Sequence, residues 1–72
     1  MKLYLISQNE NNNYDTFDSA VVAAKNEREA KNTKLGDVIY EWTTPDKVTA
    51  RLIGTAIKGT EAGVIIASFN AG

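Results

Sequence analysis

Gly63-Val64-Ile65-Ile66-Ala67-Ser68-Phe69 is the most continuously apolar run in the chain, rich in β-branched residues and opened by a glycine. Such a run cannot keep one face in water, so it predicts a central strand with neighbours on both sides. Upstream, Lys47 to Ala56 alternates, with Val48, Ala50 and Leu52 inward and Lys47, Thr49 and Arg51 outward. The alternation slips at Ile53-Gly54, which predicts a bulge. Ile57 to Ala62 then links this strand to 63–70, which reads as its antiparallel hairpin partner. Thr43-Thr44-Pro45-Asp46 is a turn, with Pro45 presetting its first corner.

Further back, Asp37 to Trp42 alternates as another strand, with Val38, Tyr40 and Trp42 set against Ile39 and Glu41. Asn26-Glu27-Arg28-Glu29 has the capping-box arrangement and predicts a short helix over about 26–34, stopped by Gly36. That helix is mostly polar, with Ala30 and Leu35 as its apolar contacts, so it covers little of a sheet. Tyr14 to Lys25 reads two ways. As a helix it is capped by Thr16, with Phe17, Ala20, Val21 and Ala24 on one face; as a strand it accommodates the pair Val21-Val22. The strand is preferred because a better helix start lies downstream. Asn9 to Asn13 is a turn tip. Lys2 to Gln8 opens the chain as a strand with two largely apolar faces, both expected to be covered.

These elements predict one α+β domain over residues 1–72. It is a small, mostly antiparallel sheet of about five strands with one short helix, ordered β-β-α-β-β-β. So thin a helix leaves a face or an edge bare, which predicts a homo-oligomer; the alternative is a small barrel closing on itself. The 72 residues contain no cysteine and no histidine. This removes thiol and imidazole chemistry, disulfides and thiolate metal sites. Eight basic against nine acidic residues argue against a general nucleic-acid binder. No run approaches membrane-spanning length, and Leu3 to Ile6 is too short for a signal peptide core, so a cytoplasmic protein is expected.

Two stretches carry a resemblance. Met1 to Gln8 (MKLYLISQ) followed by Tyr14 to Ala24 (YDTFDSAVVAA), together with Gly63 to Gly72 (GVIIASFNAG), resembles a family of short phage and prophage proteins of unassigned activity. The likeness covers roughly the two outer thirds of the chain. Those proteins carry a longer, aromatic insert before the tryptophan, which this chain lacks. The resemblance implies a protein that acts on a host, either by inhibiting a defence enzyme or by trapping the nucleotide signal that activates it.

Catalysis finds little support among the residues. Asp15 and Asp18 are three apart and face opposite ways on a strand. Ser19 and Ser68 have no visible base, and Gly54, Gly59 and Gly63 do not form a phosphate loop. A non-enzymatic protein without cofactor or metal is expected. Ligand binding is better served: Tyr14, Tyr40, Trp42 and Phe69 offer aromatic faces with polar neighbours, and Lys47 and Arg51 offer charge to phosphate. Asn70 can both donate and accept towards a base, and Thr16 completes the candidate set. The expected ligand is a nucleotide-derived signal molecule sequestered between protomers. The alternative is a module that docks on a host protein, and a DNA-binding accessory role stands third.

Overall fold

The computed structural model describes residues 1–8, 16–35 and 42–70. Among these, four strands form one antiparallel sheet: β1 (Lys2–Gln8), β2 (Thr16–Ala24), β3 (Val48–Thr55) and β4 (Gly63–Asn70). Their order across the sheet is β3-β1-β2-β4, and helix α1 (Glu27–Lys31) lies between β2 and β3 in sequence. The segment of 16–25 that read two ways is a strand over Thr16–Ala24. The expected strand at 37–42 falls, apart from Trp42, outside the described residues, and Trp42 itself sits in a bend.

β1 and β2 form the central antiparallel pair, with Leu3 opposite Ala23 and Ser7 opposite Ser19. β3 then pairs with β1, and β4 with β2. This corrects two expectations. Strands 48–55 and 63–70 are not hairpin partners, because the β1–β2 pair separates them. Nor is 63–70 central: among the described residues it pairs on one side, with β2. The segment between β3 and β4 runs along one end of the sheet, where the Ala56 amide donates to the Met1 carbonyl at 2.9 Å. It turns at Ile57–Thr60, where Gly59 has a φ of 92° that only glycine adopts freely.

Three bulges interrupt the ladders. Ile53 is the extra residue in β3, between the pairs Leu3–Gly54 and Tyr4–Leu52, as the slipped alternation predicts. Asp18 is extra in β2, and Ile65 is extra in β4 between the pairs Val22–Val64 and Val21–Ile66. Each extra residue switches which face the following side chains occupy.

The core lies on one face only. Tyr4 and Ile6 of β1, Ala20, Val22 and Ala24 of β2, Val48 of β3, Ala30 of α1, and Leu35 and Trp42 form it. Ile6 and Val22 are fully buried, each contributing about 1.5–3 kcal/mol relative to exposure. The alanines of β2 and α1 let the helix sit close to the sheet. On the other face Ala23 is buried but Leu3, Leu5 and Val21 are only half-buried, so the expectation that both faces of β1 are covered is met only in part. One short helix is too small to cover two faces.

α1 is shorter than the expected 26–34. The Asn26 side chain accepts from the Glu29 amide at 2.9 Å, and Glu29 accepts in turn from the Lys25 amide at 3.3 Å. At the far end Asn32 Nδ2 donates to the Arg28 carbonyl (2.7 Å) and Thr33 Oγ1 to the Glu29 carbonyl (3.0 Å). These side chains satisfy the terminal carbonyls and close the helix early. Gly36 lies outside the described residues.

Candidate functional site

Past the end of α1 the chain passes through Leu35, which is buried in the core, and it re-enters the described structure at Trp42. The re-entry point is fixed by Gln8, a buried polar residue at the end of β1. Gln8 Nε2 donates to the Phe17 carbonyl at 2.6 Å, beside the Asp18 bulge. Its Oε1 accepts from the Thr43 amide at 2.9 Å, across 35 residues of sequence. One side-chain amide thus fastens the Trp42–Thr43 segment to the two central strands.

Between this segment and the end of α1 lies a cavity of about 340 Å³, lined by Lys31 to Leu35 and by Trp42 to Pro45. Leu35 and Trp42 give it an apolar wall. Lys31 and Lys34, three residues apart at the end of the helix, bring positive charge, and Thr33, Thr43 and Thr44 bring hydroxyls. Trp42 is 6% exposed, and its indole Nε1 is buried with no hydrogen-bond partner among the described residues. An indole N–H can only donate, and leaving it buried and unpaired costs about 1–3 kcal/mol.

Asp46 stands just beyond Pro45 on the 3₁₀ turn Pro45–Lys47. Its carboxyl is held below the usual aspartate value, first by the Thr44 hydroxyl, which donates to it at 2.5 Å, and then by its own backbone amide and Lys47. Among the described residues lining the cavity, the charged side chains are Lys31 and Lys34. Among the described residues no group of histidines, cysteines or carboxylates is placed to hold a metal, and no helix is long and apolar enough to cross a membrane.

The sequence-derived candidates fall in different places. Trp42 lines the cavity. Lys47 is exposed at the end of the 3₁₀ turn, immediately before β3. Arg51 is opposite Leu5 on the coreless face of the sheet. Phe69 lies on β4, at the other edge from β3, and its ring packs against Phe17 with centroids 4.8 Å apart. Trp42 belongs to the core and Arg51 to the opposite face of the sheet, so one chain does not bring these two together. Tyr14 and Tyr40 lie outside the described residues, as do the side chains of Thr16 and Asn70.

Lys31, Lys34, Leu35, Thr43 and Thr44 escaped the sequence reading, which treated the helix as a thin polar cover. The available signal was two lysines three apart at the helix end, followed by an apolar residue. No family model matches the chain, and no curated protein or solved structure matches it.

Proposed function

We propose that this chain is a non-enzymatic binding protein that holds a small, phosphate-bearing, nucleotide-derived molecule at the Trp42 cavity. The observation that carries the reading is the buried Trp42 N–H without an acceptor among the described residues, beside two lysines in a hollow with an apolar wall. A flat heterocycle would lie on the apolar wall and accept from the indole, while its phosphates met Lys31 and Lys34. With the resemblance to short phage proteins, this describes a sponge in the host cytoplasm that withdraws a defence signal.

Trp42 is the single tryptophan, so its fluorescence reports the site directly. Titration with a panel of cyclic and ADP-ribose-type nucleotides, followed by fluorescence and calorimetry, should give a change saturating at micromolar ligand. The double variant Lys31→Ala/Lys34→Ala should weaken it roughly tenfold or more. No heat and no change in emission across the panel would end this reading.

A second reading, favoured by the bare β4 edge, is an inhibitor that docks on a host protein by adding a strand to its sheet. A stoichiometric host partner, with no nucleotide bound, would establish it. DNA binding stays third, since the pI is near 5.2, and a gel shift at physiological salt tests it.

A further inference from the structure

The residues that the sequence marks as most in need of burial are the ones the single chain leaves bare. Val64, Ile65, Ile66 and Phe69 of β4 are 43%, 52%, 66% and 44% exposed. Because Ile65 is a bulge, these side chains occupy both faces of the strand: Val64 is opposite Val22 on the core side, and Ile66 is opposite Val21 on the other. Beside them a shallow hollow of about 230 Å³ is lined by Leu5, Val21, Ile66 and their neighbours.

We infer that β4 is the self-association edge, and that its occupant is β4 of a second copy, paired antiparallel about a two-fold axis. Charge selects a second copy. Gly63 to Asn70 contains no charged residue and no proline, so the strand meets itself without repulsion and with every amide able to pair. An isologous contact needs this self-complementarity. β3, by contrast, carries Arg51 in its middle, which would stand close to its own copy across a dyad. The result is a continuous eight-stranded sheet with β3 at both outer edges. This inference does not depend on what fills the Trp42 cavity.

The test uses the full chain in sedimentation velocity from about 1 μM to about 100 μM. A species of twice the chain mass is expected. Ile66→Lys should shift it to monomer, whereas Ile57→Lys, at an exposed position outside β4, should leave it dimeric. Since the chain has no cysteine, Val64→Cys, Ile66→Cys, Ala67→Cys and Ser68→Cys can each be oxidised alone. At least one, near the two-fold axis, should form an interchain disulfide, and Thr49→Cys on β3 should form none. A monomer at every concentration would overturn the inference and leave the edge to a strand of another protein. A dimer that survives Ile66→Lys and crosslinks through Thr49→Cys would overturn it as well.

Discussion

The two outer strands of this sheet are treated in opposite ways. β3 begins at a proline-containing 3₁₀ turn, buries Val48 and bears Arg51, with α1 packed against it. Each of these features discourages another strand from adding. β4 is more apolar than β3, has no charge, and keeps Ile65 and Ile66 in solvent. Apolar character in a strand therefore does not mean a central place in the chain's own sheet. It means that the strand must be covered, and the covering group need not belong to the same chain.

The contrast is sharpest between Ile6, fully buried in β1, and Ile66 on β4. Ile6→Ala should cost about 2–5 kcal/mol at every protein concentration. Ile66→Ala should cost under about 1 kcal/mol in dilute solution and more as concentration rises, because mass action then draws on the β4 contact. Urea unfolding at two concentrations separates the cases, and equal costs at high dilution would mean that β4 is buried within one chain. Next in size is Gln8→Ala, which removes both bonds of the tether and should cost about 1–3 kcal/mol. It should also shift Trp42 emission to the red, whereas an edge substitution such as Ile66→Ala should not.

The third test makes the protected edge resemble the open one. Arg51→Val removes the only charge within β3. Its stability should stay within about 0.5 kcal/mol, yet light scattering should show association continuing beyond the dimer, since both edges would now accept strands. The smallest effect is expected at Asp46. Its folded carboxyl lies below the ordinary 3.8, chiefly through the Thr44 hydroxyl. The contribution is thus present above that ordinary value and is lost as pH falls through the lower folded value. Melting curves of Asp46→Asn and the parent chain should differ slightly near neutrality and converge in strong acid.

The local parts of this fold were legible. Alternation placed β1 and β3, the Asn26–Glu29 spacing placed the helix start, and the slip at Ile53-Gly54 placed a bulge. Period-two patterning assigns residues to faces but not strands to neighbours, so the order β3-β1-β2-β4 lay beyond it. It also could not say whether Val64-Ile65-Ile66 is covered by its own chain. Of the candidate site only Trp42 was legible. The cavity depends on Gln8 reaching Thr43, a pairing of distant polar residues that leaves no periodic trace. Lys31 and Lys34 were visible, but nothing local marked the wall they would face.

That tether also bears on how the chain can change length. Leu35 is buried on one side and Thr43 is fastened by Gln8 on the other, so two anchored residues flank positions 36–41. Added residues there would cost mainly closure entropy, about 0.6 kcal/mol for each doubling of the connection. The fold thus has a position, next to Trp42 in sequence, at which longer versions of the molecule can be built between two anchored residues.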